Sequence, residues 1–267
     1  KFIFFWEWFH RLWARFMGFV FLIGFVYFLI TKKFQKKMIQ PMIILFILGA
    51  LQGAIGWIMV KSGLVPEKYF VGHIQLATHF IAAMGLLCYT LWFALSLLPL
   101  KINLNQNTHT KKLLATILLL LIVQLTYGAF MAGLKAGATA PTWPDINGSY
   151  LPASMNEMSP WLKNIFYNPI MIHFLHRGVA YLLLITVIYT WFHNLRTTGS
   201  SRFFNLLMHA GCITVLLQLI LGIATVLNAT YNTRLLYLGV AHQFTAMLLL
   251  CCIVCLLYLS QKKVTVN

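Results

Sequence analysis

Four histidines stand at matched places in this chain. His79 follows His10 by 69 residues, and His242 follows His176 by 66. Each lies a few residues inside a long apolar run. An ionisable side chain in a membrane interior is expensive to place and marks function by default. Neutral imidazole ligates iron well, and facing helices of a bundle are a usual seat for haem. Two histidines in each half suit one bis-imidazole haem, or one haem site per half. The bland reading of any single one is a satisfied polar contact between helices. Symmetric placement of all four argues against it. Zinc would call for a tetrahedral set with Cys or carboxylate help, and only Glu7 stands near.

The residues beside the histidines differ between the halves. Glu7 precedes His10 by three positions, where the second half has His173 before His176. Glu7 either pairs with Arg11 one turn on or handles protons and orients a ligand at the haem edge. The second role is favoured because the halves differ here. That asymmetry predicts one catalytic site and one structural or electron-transferring site. Arg11, Arg15 and Arg177 are placed either to bind haem propionates through the guanidinium fork or to snorkel to the interface. Propionate contact is expected of Arg11 and Arg177, which directly follow histidines. His173 is a competing ligand or a supporting partner for His176. His73 begins its helix, His209 lies near a helix end, and His109 and His193 read as solvated.

The elements that position these groups are membrane helices. The chain is 60% hydrophobic and 9% charged, whereas a soluble domain is about a quarter charged. A spanning helix needs roughly 20 apolar residues. Seven segments qualify: 8–30, 38–60, 73–98, 112–134, 170–193, 203–227 and 236–259. The net charge of +16 is not a nucleic-acid patch, because the basic residues sit in short loops. Lys32, Lys33, Lys36, Lys37, Lys101, Lys111, Lys112, Arg196, Arg202, Lys262 and Lys263 share one side with no acid. That side is read as the cytoplasm or mitochondrial matrix, and the histidines then lie toward the outer face. On the outer side Lys61, Lys68, Lys135, Lys163 and Arg234 are offset by Glu67, Asp145 and Glu157. These three and Glu7 are the only acids, which nearly excludes a Mg²⁺–pyrophosphate site. Cys88, Cys212, Cys251, Cys252 and Cys255 lie in apolar runs and read as packing residues. The loop 135–169, with Pro141, Pro144, Pro152 and Pro160 and with Trp143 and Trp161, reads as a structured outer cap.

The histidine spacing belongs to an internal repeat. Gln52 and Gly56 follow His10 as Gln218 and Gly222 follow His176, 42 residues on. The first three segments thus repeat as the last three. The fourth carries Gln124 and Gly128 and has no partner before the first. The expectation is an all-α polytopic membrane protein of two pseudo-symmetric four-helix halves, residues 1–100 and 101–267. In it, the first helix of the first half would lie upstream of Lys1.

These motifs resemble the haem A synthase family, in its mitochondrial and proteobacterial form. The resemblance rests on W-E-W-F-H-R at 6–11, L-Q-G-A-I-G-W at 51–57, L-A-T-H-F at 76–80, P-T-W-P-D-I-N-G at 141–148, H-F-L-H-R-G at 173–178 and A-H-Q-F at 241–244. It implies oxidation of the C8 methyl of haem O to a formyl, giving haem A for terminal oxidases. The usual account passes through an alcohol and a hydrated aldehyde. It implies that His10 and His79 belong to the haem O site, with Glu7 catalytic, and that His176 and His242 ligate a resident haem b. Three features depart from the family pattern. Lys135 stands where relatives often have Asp, His173 stands where many have Gln, and an outer cysteine pair is absent.

The competing reading is a dihaem b-type electron-transfer cytochrome, which leaves Glu7 and the cap unexplained. A repeat-built transporter is a third reading. Haem O synthesis is disfavoured, since Asp145 is the only Asp and prenyl transfer with Mg²⁺ needs clustered aspartates. Expected partners are the lipid bilayer, a haem O synthase, an electron-transfer protein and a second copy of the chain, but no nucleic acid. The expected location is a bacterial cytoplasmic membrane or the mitochondrial inner membrane.

Overall fold

The computed structural model describes residues 2–63, 70–99, 108–196 and 201–261. Within them the chain forms α1 (Phe2–Ile30), α2 (Lys36–Lys61), α3 (His73–Leu97), α4 (Thr108–Gly133), α5 (Ala136–Thr139), a 3-10 turn (Ala153–Asn156), α6 (Lys163–Tyr167), α7 (Pro169–Leu195), α8 (Arg202–Leu227) and α9 (Asn232–Gln261). Seven of these are long and apolar enough to cross a membrane. A helix satisfies its own backbone without water, which lipid cannot supply. The chain is an all-α multi-pass membrane protein. Glu67, Lys68, Lys101, Lys262 and Lys263, which carry part of the expected charge pattern, lie outside the described residues.

The helices run past the apolar segments at both ends. α1 begins at Phe2 rather than near residue 8, and α9 at Asn232 rather than 236. Aromatic and polar side chains suit the interfacial zone and let the helix continue there. His10 therefore does not open its helix. The histidines sit six to ten residues inside α3, α7, α1 and α9, about 9–15 Å along the axis at 1.5 Å per residue.

Consecutive long helices pack side by side, and α9 also lies against α3 and α4. The main core is built from Leu114, Ile117 and Leu121 of α4, Leu183 and Val187 of α7, Met208 of α8, and Leu249, Ile253 and Leu256 of α9. By position along each helix, this core lies beyond the histidines, toward the opposite end of the bundle. At the histidine end a smaller cluster gathers Ala77, Ala129, Phe130 and Ile172. There α3 and α4 approach closely: a Cβ on Gly133 would stand 2.6 Å from His73 Cβ. α1 lies along α2 through Phe21 stacked on Phe46. Its other apolar side chains, such as Phe19 and Ile23, are exposed.

The expected cap is ordered by asparagines. Asn164 is fully buried. Its carboxamide ties Met158 N, Met158 O and Trp161 O, and its Oδ1 accepts from Asn168 Nδ2. Asn168 caps α7 by accepting from Ile170 N and Met171 N, with Pro169 at the first helical position. His73 joins the cap through Phe166 O at 2.8 Å. Lys135 adopts a left-handed backbone (φ 53°) just beyond α4, and its ammonium lies over the Phe70 ring at 3.6 Å.

Candidate functional site

Three of the four histidines rest in one recurring device. Gln52 Nε2 of α2 stands 3.2 Å from His79 Nδ1 and donates to His79 O at 3.1 Å. Gln124 Nε2 of α4 stands 3.2 Å from His176 Nε2. Gln218 Nε2 of α8 donates to His242 O at 2.9 Å. Four residues after each glutamine, on the same helix face, comes a glycine. A Cβ on Gly56 would stand 2.8 Å from His79 Cε1, on Gly222 3.1 Å from His242 Cε1, and on Gly128 3.4 Å from His176 Cε1. Gln-x-x-x-Gly is thus a cradle for an imidazole on the neighbouring helix. The amide grips the histidine and the missing Cβ makes room for the ring. In the sequence this motif is visible only as a repeat marker. Its recurrence one long helix before each of three histidines is the signal that could have revealed it.

Among the described residues His10 has no such cradle and is exposed on α1. Every buried side-chain nitrogen or oxygen without a partner among the described residues belongs to this device or to its neighbour His173. These atoms are Gln52 Oε1, Gln124 Oε1, Gln218 Oε1, His173 Nδ1, His176 Nδ1 and His242 Nδ1. Buried polar atoms are nearly always paired, so such a concentration calls for a reason.

Glu7 stands one turn ahead of His10 and meets Arg11 at 3.5 Å. Both side chains are over 40% exposed, and such a pair contributes about 0–1 kcal/mol. Arg177 is engaged far more fully. Its Nη2 donates to Thr142 O at 2.5 Å, its Nη1 to Asp145 O at 2.7 Å and Pro144 O at 3.2 Å, and its Nε to His173 Nε2 at 3.0 Å. Here the guanidinium pins the cap onto α7 beside His176, and His173, fully buried, supports the guanidinium. Asp145 sets its own turn. Gly148 N–H donates to its Oδ1 at 2.8 Å and, with the Thr142 hydroxyl, holds its carboxyl below the usual range.

Arg177→Lys keeps the charge and loses the fork. Hydrogen bonds to charged groups contribute about 1.5–3 kcal/mol each, so losing one of them corresponds to about a tenfold shift in cap opening or more. Limited proteolysis within 142–150 should speed up accordingly. Unchanged cleavage would show that the clamp is not what holds the cap.

At the opposite end, His109 and His193 meet ring to ring at 4.8 Å, and Trp191 Nε1 donates to His209 at 2.8 Å. These three are engaged with neighbours, whereas the sequence predicts solvation for the first two. The five cysteines are free thiols in helices.

The donor set can be tested against the groups it would hold. Among the described residues no three His, Cys, Asp or Glu side chains converge on one point, so a four-coordinate ion of the zinc type lacks a cage. Imidazoles with shaped ring seats suit a haem, for which histidine is a usual ligand.

Fold and site together define a multi-pass helical membrane protein with four histidines toward one end of the long helices, three of them in Gln–Gly cradles. The chain belongs to the COX15-CtaA family of cytochrome oxidase assembly proteins, which matches residues 1–254. Curated relatives named heme A synthase are similar along nearly its whole length. That of Flavobacterium johnsoniae is 36% identical over 255 residues, covering 94% of this chain and 72% of the relative. That of Dinoroseobacter shibae is 37% identical over 262 residues, covering 95% and 66%. That of Flavobacterium psychrophilum is 39% identical over 254 residues, covering 94% and 72%. The chain therefore spans about two thirds to seven tenths of the length of these relatives.

Proposed function

We propose that this chain is a haem A synthase, an oxidoreductase that converts the C8 methyl of haem O to a formyl group. The observation that carries the reading is the set of cradled imidazoles, where the buried unpartnered polar atoms gather. His10 and His79 would hold the substrate haem O. His176 and His242 would hold a resident haem b. The iron supplies the redox chemistry needed to oxidise an unactivated methyl.

The protein's own part is placement. Gln52 and Gly56 fix the plane of the His79 ring. Gln124 with Gly128 does the same for His176, and Gln218 holds the His242 backbone while Gly222 leaves room for its ring. Glu7, one turn from His10, is the carboxylate at the substrate half and is assigned to accept or deliver protons. Arg11 is free of the cap and is assigned to a propionate. Arg177 and His173 hold the cap beside the resident group. Residues 1–100 and 101–267 form the substrate and resident halves. The basic residues Lys32, Lys33, Lys36 and Lys37 lie at the end away from the histidines, which favours sites toward the periplasm or intermembrane space.

Co-expression with a haem O source, followed by mass identification of the bound haems, tests the reading. Haem A together with protohaem is the expected result. Protohaem alone, with haem O supplied, would make the chain an electron carrier instead.

A further inference from the structure

His173 is fully buried, and its Nδ1 meets no donor or acceptor among the described residues. Its Nε2 lies 3.0 Å from Arg177 Nε. A guanidinium nitrogen only donates, so His173 Nε2 must present its lone pair. The bond made by one ring nitrogen fixes the state of the other. The neutral ring therefore carries its proton on Nδ1. A doubly protonated ring would set two donors against each other at 3.0 Å. The outcome is a buried N–H for which the described residues supply no acceptor, although such groups are nearly always paired. His173 is also excluded as an iron ligand in this state. One lone pair is spent on Arg177, and the other nitrogen holds the proton.

The position of this N–H bears on the neighbouring site. His173 stands three residues before His176 on α7, so the two rings are neighbours on one helix face. His173 is about 4.5 Å nearer the cap along the axis. A haem seated on His176 carries two propionate carboxylates, and a carboxylate leaving water needs donors. Arg177 has little left to offer. Its guanidinium already serves Thr142 O, Pro144 O, Asp145 O and His173 Nε2. At the matching station the first half has Glu7, which as a carboxylate only accepts. The buried donor therefore belongs to the second half alone.

We infer that His173 Nδ1–H donates to a propionate of the haem held by His176 and His242, with Arg177 selecting the tautomer that makes the ring a donor there. This rests on the proposed function, in which that half keeps a resident haem.

The test uses full-length protein purified with its resident haem. His173→Leu keeps bulk and loses both ring nitrogens. His173→Gln keeps an acceptor for Arg177 and a donor for the carboxylate. Arg177→Lys loosens the cap and leaves the His173 ring. The readouts are the propionate bending band in resonance Raman spectra and the rate at which haem passes to excess apomyoglobin. His173→Leu should shift the band and speed release about tenfold or more, as for the loss of one hydrogen bond to a charged group. His173→Gln should stay close to the parent in both, and Arg177→Lys should leave the band in place. If His173→Leu yields no loaded protein, His173→Phe decides on the same band. A band that ignores the loss of the ring nitrogens overturns the inference and leaves Nδ1 to a buried water. Equal changes in His173→Leu and Arg177→Lys also overturn it, since His173 would then support the cap only. A parent protein purified without a protohaem spectrum overturns the resident-haem reading and the inference with it, whereas a loaded protein with an unmoved band overturns the inference alone.

Discussion

His79→Ala should reduce haem A formation by about 100-fold or more while the absorption of the resident haem stays largely intact. His79 is held by a Gln52 contact to its ring and another to its backbone oxygen. Its ring fills the hollow over Gly56. Loss of a partner that merely orients a ligand typically costs about 10–100-fold, so loss of the ligand itself costs more. His176 and His242 stand on α7 and α9 with cradles on α4 and α8, so removing the His79 ring leaves their seats untouched. His10→Ala should follow the same pattern. The measurement is the ratio of haem A to protohaem extracted from membranes that also contain haem O. His242→Ala gives the converse, loss of resident haem first. If His79→Ala retained full haem A production while His242→Ala abolished it with the resident haem still bound, the two halves would have to exchange roles.

Much of this architecture is legible in the sequence because lipid leaves so few choices. Seven apolar runs become seven helices, since no other open-chain form satisfies the backbone there. Their ends are less legible. Phe5, Trp6 and Trp8 prolong α1 beyond its apolar run, which places His10 about two turns inside a helix instead of at its start. The histidine stations are visible through the repeat, but the role of the glutamines and glycines is not. Gln52 reaches His79 across 27 positions and Gln124 reaches His176 across 52, and no local pattern encodes such a contact. Arg177 shows the same limit. Its position after a histidine suggests a propionate partner, yet its strongest contacts are to carbonyls 32–35 residues earlier. The path of the cap decides that pairing.

Placing a methyl group beneath the histidine rings should damage function in a fixed order. Gly56→Ala should be the most harmful, Gly222→Ala intermediate and Gly128→Ala the mildest. The new Cβ would stand 2.8, 3.1 and 3.4 Å from the respective Cε1 atoms. The first distance forces the His79 ring to move, the second requires a shift of a few tenths of an ångström, and the third is nearly ordinary contact. Helix formation itself does not oppose these changes, because Ala is favoured over Gly in a helix interior by about 1 kcal/mol. A loss of function would therefore report the ring seat and not a broken helix. Gly49 and Gly53 lie on the same helix as Gly56, and a Cβ added at either meets nothing within 4 Å. Gly49→Ala and Gly53→Ala therefore serve as neutral controls. For Gly56→Ala the readout is haem A formation, expected to fall about 10–100-fold as for a disturbed ligand support. For Gly222→Ala and Gly128→Ala it is the amount and spectrum of the resident haem. Equal effects at Gly53 and Gly56 would rule out the cradle. A larger loss at Gly128 than at Gly56 would mean that the haem-loaded protein seats its imidazoles differently. The order follows from the distances at the three glycines, while the readout at each follows from the proposed roles of the two halves, and the comparison of Gly56→Ala with Gly53→Ala tests the Gln-x-x-x-Gly device within one half.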